Sequence, residues 1–571
     1  MAPFLYEPLN ISLHEVRLLH LSPGKAEDDI EHRIVHVPLP PPIASYGENR
    51  KPEIDSLGSL VSWPWTVEEV EGGDVVVFNV VSGETHPIMT GATPPERTSE
   101  HEACYEALLY TWGDAMISEN GYIRNEEDTS KPCMTLGLRP NLTLALRNLR
   151  HSDETRVLWI DAICINQDDI QERNEQVKRM TSIYTMAKRV IIWLGEEADN
   201  SKHALHTLQH IGRQLNVTKS GRIIAAHDAV EPQWWRNDHS LPFDQSTWQG
   251  VMNLVERAWF YRVWCWQEVM LGRYHAYLQC GSEGIPWRKF WMAICCINNK
   301  DSLPSTRFRE RCRHIVFLDY QSAGHSLSNI LDISRSKGCA DPKDKIYGLL
   351  GMTARYFSSS IVVDYSQPLR YVYKDAFIAH LNHTKRLELL KHCDSGNHRT
   401  GGPSWVPDWS MTEFAAPVLS EQLSSGISRA WFTYSEPEIL EVVGKHYTTI
   451  KTISRVASKV EEKTLLAVSE WFQCLPDKGS YITGETMEAA FALTLCMNRT
   501  KERHPYSHFM STSQWLGMLH GILCLSDASQ NDAIYSERET ANTIQKLRGR
   551  RFVTTESGHI GTAPAGARVG K

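Results

Sequence analysis

The chain has no apolar run approaching the roughly 20 residues that cross a bilayer; the longest candidate, 489–497, falls well short. Its opening residues, MAPFLYEPLN, lack the basic stretch and apolar core of a secretory signal. Positive charge is not in surplus either. Sixty Lys and Arg against 68 Asp and Glu leave a net charge of −8, which offers nucleic acid no broad basic surface. Neither a GxxxxGK[ST] loop nor a GxGxxG turn after a strand occurs, so those ways of cradling phosphate are not indicated. There is no GxSxG elbow. The 13 cysteines are odd in number, scattered and without a CxxC pair, the pattern of reduced intracellular thiols rather than a disulfide framework. The 24 histidines show no ligand spacing, and HEACYE at 101–106 lacks the second His of a zinc-protease helix. What remains is a cytoplasmic globular protein with no membrane span, metal site or nucleic-acid partner.

Charged residues at 22% and hydrophobic ones at 42% are ordinary for such a protein. A length of 571 residues allows roughly two to four domains, each with ample core. The densest signal runs from Val157 to Gly195, VLWIDAICINQDDIQERNEQVKRMTSIYTMAKRVIIWLG. Val157–Ile160 and Val190–Leu194 are short apolar runs that predict strands. Between them Val177, Met180, Tyr184 and Ala187 recur at steps of three and four, the period of a helix with one buried face. Asp169 followed by Glu172 has capping-box spacing, which starts that helix. Two nearly continuous apolar strands joined by a helix predict a parallel βαβ unit. Asp161 then lies beyond the carboxyl end of a strand, where ligands bind on open α/β sheets.

Around this unit the pattern predicts a strand pair at EVRLLHL and HRIVHVPL, a loop over 38–52, and strands at 75–81 and 105–111. A hairpin excursion is expected over 115–140 and a helix over 141–150, opened by Asn141 as its cap. Residues 196–250 are poorly periodic and read as a variable insertion, whereas 254–271 reads as helical. Helices dominate from about 286 onward, at 287–298, 308–320, 325–335, 343–351, 368–395, 482–497 and 512–525, with a strand at 440–443. No fixed-period repeat is present.

Three blocks in order, YEALLYTWGD (105–114), 157–195 and RAWFYRVWCWQEV (257–269), resemble the fungal heterokaryon-incompatibility (HET) domain. Looser matches lie at EVRLLHLSPG (15–24), DPKDKIYGLLGM (341–352) and PSWVPDWS (403–410). The resemblance implies a HET domain over 1–285 and a mainly helical regulatory or recognition region over 286–571. It also implies an effector of non-self recognition and programmed cell death, acting by self-association and through an unidentified protein partner. The closing segment GRRFVTTESGHIGTAPAGARVGK is similar to the start of a β-rich stretch that continues further in relatives, so this copy is expected to be either a truncated gene model or a naturally short member. More distantly, LLYTWGD, LWID and the spacing Trp264-Cys265-x-x-Glu268 are similar to Toll/interleukin-receptor (TIR) domains. That likeness implies an α/β, flavodoxin-like parallel sheet for the N-terminal domain. It also implies NAD as a substrate rather than a bound cofactor, with Glu268 as the catalytic carboxylate stabilising an oxocarbenium-like transition state.

Each candidate also has a structural reading. Glu268 is either that carboxylate or an ion-paired partner of Arg257 or Arg262. Asp161 is a ligand group at a strand end or a shaper of the loop after it. Asp114 either touches a ligand or caps a turn, and Asn166 and Gln167 either recognise an amide or scaffold the loop. Trp112 and Trp264 are stacking surfaces for a nicotinamide or adenine ring, or core packing. Cys164 and Cys265 read as small buried hydrophobes, because no basic partner stands at nucleophile spacing. Asp341 and Pro342 form a turn before the helix near Lys345.

Overall fold

The computed structural model describes residues 2–39, 65–70, 75–79, 85–87, 105–113, 116–117, 119–123, 133–218, 222–272, 275–319, 326–393, 401–411, 415–416, 428–435, 438–458, 461–475, 479–503, 510–523 and 546–570. The strands in chain order are β1 (Ala2–Pro3), β2 (Glu15–Leu21), β3 (Glu31–Pro38), β4 (Trp65–Glu69), β5 (Val75–Asn79), β6 (Thr85–Pro87), β7 (Glu106–Leu109), β8 (Glu119–Ile123), β9 (Met134–Leu138), β10 (Arg156–Trp159), β11 (Arg189–Trp193), β12 (Leu215–Val217), β13 (Ile223–Ala225), β14 (Ala276–Cys280) and β15 (Glu283–Pro286). Ten of them make one mixed sheet in the order β1-β9-β8-β3-β2-β10-β7-β11-β14-β15. The centre, β10-β7-β11-β14, is parallel throughout, while β2 and β15 run antiparallel at either side of it. In chain order the four parallel strands stand 2-1-3-4. The chain is thus an α/β protein, and β10 and β11 are parallel as the sequence predicts, with β7 between them.

These strands read as apolar runs because both faces are covered. All of β7 is buried, as are Val190 to Trp193 of β11. Their register is fixed at the amino ends by one carboxylate. Glu106 accepts from Arg156 Nε at 2.6 Å and pairs with Arg189 Nε at 2.8 Å, so three adjacent strands share a charge-assisted clamp. The N-terminal hairpin β2–β3 joins the same sheet rather than standing apart. The predicted excursion over 115–140 is the antiparallel pair β8–β9, which extends the sheet.

The helices are α1 (Pro140–Leu149), α2 (Asp161–Cys164), α3 (Ile170–Met186), α4 (Ser201–Arg213), α5 (Gln245–Val255), α6 (Trp264–Gly272), α7 (Trp287–Asn298), α8 (Thr306–Asp319), α9 (Leu327–Arg335), α10 (Asp344–Tyr347), α11 (Arg355–Ser358) and α12 (Leu369–Thr384). α3 starts as predicted, with the Asp169 carboxylate accepting from the Gln171 and Glu172 N–H groups. The other half of the box differs. Glu172 accepts from the Asn166 N–H and from both guanidinium nitrogens of fully buried Arg17, tying α3 to β2. α1 is opened by Pro140 with no side-chain cap, which frees Asn141 for another role.

Within the variable insertion expected over 196–250, α4 buries Ala204, Leu205, Leu208 and Ile211, and the hairpin β12–β13 and α5 follow it. One expectation needs correction. The predicted helix over 254–271 is broken by a 3-10 turn at Ala258–Tyr261, which separates the end of α5 at Val255 from α6 at Trp264–Gly272. The loop expected over 40–52 lies outside the described residues. Among the described residues no helix is long and apolar enough to cross a membrane, and every cysteine is free.

One apolar core contains buried residues from Val16 to Trp409. A second, from Ala457 to Phe552, is built by helices Glu461–Gln473, Met487–Leu495 and Thr512–Leu523 on a three-stranded sheet. That sheet pairs Ile450–Val456 with the hairpin of Arg550–Thr555 and Ile560–Pro564, so the closing segment is indeed β structure.

Where α4 crosses α7, Gly212 faces the Lys289 carbonyl, and any Cβ there would collide with backbone. Gly212→Val is expected to destabilise the chain by about 2–3 kcal/mol through overpacking. Urea unfolding monitored by tryptophan fluorescence measures this.

Candidate functional site at the carboxyl ends of the parallel strands

The chain leaves β7 through Tyr110-Thr111-Trp112-Gly113 and leaves β10 through Ile160-Asp161, so these residues meet beyond neighbouring strand ends. Gly113 adopts φ +66°, a left-handed conformation that suits glycine and lets the chain turn away at once. Asn141 holds this turn from α1: its amide donates to the Thr111 carbonyl at 2.5 Å and to the Thr111 hydroxyl at 2.8 Å. Its own oxygen accepts from Trp193 Nε1 at 3.3 Å, which links the ends of β7 and β11.

Trp112 donates its indole N–H to Asp161 Oδ2 at 3.0 Å, while Arg139 lies over its ring 5.1 Å from the centroid. Asp161 Oδ1 accepts from the Ala162 N–H at 2.8 Å, a local bond that opens α2. Gln167 donates to the Asp161 carbonyl at 2.8 Å, and Asn166 accepts from the Asp168 N–H at 3.3 Å. Both amides therefore shape the loop after β10. Glu268, on α6, is 5% exposed and accepts from Tyr184 of α3 at 3.3 Å. The Tyr184 ring in turn meets Trp159 edge-on at 5.5 Å.

Arg262 is the cation of this interior group. Its guanidinium donates to the Tyr110 carbonyl at the end of β7, and its charge acts on both carboxylates. Burial pushes the Asp161 carboxyl up against the opposing pull of Arg262 and the Trp112 hydrogen bond. Burial likewise pushes Glu268 up to about 7, with Arg262 and the Tyr184 bond opposing and the Asp161 charge adding to the rise. Arg262 itself loses to burial less than it gains from Glu268 and Asp161, and so is raised. Two carboxylates sharing one guanidinium retain a proton near neutrality, the arrangement in which a carboxyl can give or take one. Among the described residues the buried hydroxyl of Tyr110 has no hydrogen-bond partner, an orphan beside the same cluster.

Of the residues singled out in the sequence, Trp112, Asp161 and Glu268 are brought together, with Asn166 and Gln167 supporting the loop. Arg262, rather than Arg257, carries the compensating charge; Arg257 instead donates to the carbonyls of Leu194, Glu196 and Ala198. Asp114 lies outside the described residues. Trp264 sits elsewhere, hydrogen-bonded to Asp344 and against Gly348. Cys164 and Cys265 are buried, and burial pushes both thiols up to about 12, so neither is a thiolate at neutral pH. Sequence reasoning missed Tyr110, Arg139, Asn141 and Tyr184. Only Tyr184 left a signal, as a member of the periodic face of α3.

The segment carrying Arg262 and Glu268 is also bound from the C-terminal side. Gln267 accepts from the Gly351 N–H at 3.2 Å, the Val263 N–H reaches the Gly338 carbonyl at 2.9 Å, and Lys337 donates to the Phe260 carbonyl at 2.9 Å. The motif at 341–352 holds this joint. Asp344, pushed up to about 6 by burial, accepts from Tyr365 at 2.6 Å and from Trp264. Lys345 donates to the Ser334, Arg335 and Lys337 carbonyls where α9 ends.

Residues 105–268 match the family described as Heterokaryon incompatibility protein (HET). Over those residues the chain carries a HET domain. It is 26% identical over 370 residues to Heterokaryon incompatibility protein 6, OR allele, of Neurospora crassa, an alignment covering 54% of this chain and 53% of that protein. The chain therefore spans about half the length of the curated relative it matches. No solved structure matches it significantly.

The raised carboxyl of Glu268 makes a signed prediction. Between the ordinary value of 4.5 and about 7 the folded chain keeps a proton that the unfolded chain has released, so stability falls as pH rises through that window. Glu268→Gln removes the penalty. It is expected to be more stable than the unaltered chain by up to about 3 kcal/mol above neutral pH, with the difference vanishing near pH 4.5. Urea titrations at several pH values measure it.

Proposed function

We propose that this chain is an effector of non-self recognition in a filamentous fungus, with its HET domain acting as a cytoplasmic death-inducing signalling module. The family match and the name of the Neurospora relative support the biological role. The observation that carries the mechanism is the double attachment of residues 257–268. Tyr184 holds Glu268 from within the HET domain, while Gly338 and Gly351 hold the same segment from the region beyond residue 286. A C-terminal event thus has a mechanical route to the interior of the effector. In this reading 1–285 and 286–571 divide the labour of effector and regulator although one core runs through both. Activation releases the joint, and the freed HET domain self-associates and recruits a protein partner.

A second reading, NAD cleavage of the TIR type, is favoured by the buried cluster itself. The parallel strands follow the 2-1-3-4 order of a flavodoxin-like sheet, whose ligands sit beyond the carboxyl ends at the switch between its first and third strands. Those are β7 and β11 here, and Tyr110 and Trp112 stand at the end of β7. Glu268, held near neutrality next to Asp161, has the protonation range of a carboxyl that works on a glycosidic bond.

Expression of the full chain and its Glu268→Gln variant in hyphae separates the two. Signalling predicts that the variant still kills at comparable protein levels, with NAD unchanged until death. Loss of killing together with loss of an early fall in NAD would instead establish the enzymatic reading.

A further inference from the structure

A cavity of about 230 Å³ lies where the turn at 258–261, α8 and the end of α9 meet. It is distinct from the carboxylate cluster: Tyr261 lines it, whereas the next residue, Arg262, reaches the end of β7. We propose that this cavity is a binding site for a compact phosphate-bearing anion, held by Arg311 and Lys337.

Charge bookkeeping around the cavity carries the argument. Its two acids already have cations of their own. Glu256 accepts from Arg307 at 3.1 Å and from the Tyr261 hydroxyl, and Glu310 pairs with Arg548 at 3.6 Å. Arg311 is 5% exposed and stacks over the Tyr261 ring at 3.4 Å. Its charge helps hold down Glu256, where burial is the largest influence and pushes the other way, yet no hydrogen bond or ion pair to its guanidinium is found among the described residues. Five donors on a planar fork, turned to a cavity and left without acceptors, match the geometry of a phosphate. Lys337 is 2% exposed and spends one of its three N–H donors on the Phe260 carbonyl. Burial pushes it down to about 8, with the charges of Arg311 and Lys345 adding to the fall, a cost that a bound anion would relieve. His314 on the same wall is kept neutral by burial and by Lys337, Arg313 and Arg311, so it offers a hydrogen bond and no further charge.

Size narrows the ligand. At about 230 Å³ the cavity is smaller than the roughly 300–1,000 Å³ of sites for drug-sized molecules. Inorganic phosphate, pyrophosphate or the phosphate end of a small ester fits that description.

Calorimetric titration of the full chain with sodium phosphate and with sodium pyrophosphate tests the site. Arg311→Gln removes the fork, and Ser336→Glu adds a carboxylate at the rim. Because Ser336 is exposed and its hydroxyl only bonds the Ile333 carbonyl, the second variant leaves packing intact. Saturable binding of at least one anion, weakened about tenfold or more by each substitution in protein of unchanged Tm, is expected. If Arg311→Gln does not fold, Ser336→Glu decides. Absence of saturable binding for both anions, or undiminished binding by folded Ser336→Glu, overturns the proposal.

Discussion

The interior charge of Arg262 is the constraint on which the rest of the arrangement depends. Two carboxylates in an apolar interior each cost several kcal/mol when uncompensated. Here one guanidinium serves both, and it is anchored to the carbonyl that ends β7. That compensation does not offset burial, which raises both Asp161 and Glu268. At the opposite ends of the same strands the stoichiometry is reversed, with Glu106 between Arg156 and Arg189. The parallel sheet is therefore pinned at both ends by ions, and only the carboxyl end is left short of positive charge.

Arg262 and Glu268 of this cluster lie on a segment that is also bonded to the C-terminal region. Asp344 connects Trp264 to Tyr365. The Tyr365 ring lies under Arg173 of α3 at 3.7 Å, and its N–H is received by Asn174 at 3.0 Å. Residues 257–268, α3 and the 341–365 stretch thus close a loop of contacts. Coupling of this kind runs through packed, hydrogen-bonded neighbours rather than through a hinge.

Much of this was legible in the sequence wherever the physics is local. The start of α3 follows from Asp169 because a cap needs only residues two and three positions on. The parallel relation of β10 and β11 follows from their apolar runs and the helix between them. What was not legible is pairing at a distance. Nothing near Asn141 says that its amide will join Thr111 to Trp193, and a helix cap was the local reading. Trp264 looks like a ligand surface one helical turn before Glu268, but it is the first residue of α6 and is engaged by Asp344, 80 residues away in the chain. α4 is a case where a local signal exists, since Ala204, Leu205, Leu208 and Ile211 share one buried face and His203, His206 and His210 lie exposed on the other.

The placement of β2 and β14 has a consequence for what this domain is. The stretch matched to the HET family begins at residue 105 and stops at 268, in the middle of α6. Yet β10 takes its outer hydrogen bonds from β2, and β11 takes its own from β14. Cut out along the limits of likeness, the piece would have two raw sheet margins and a helix severed at the residue that bears its interior carboxylate. The matched stretch is thus smaller than the sheet it belongs to. Exchange of such stretches between genes would have to carry the flanking strands along, or find equivalents waiting in the recipient.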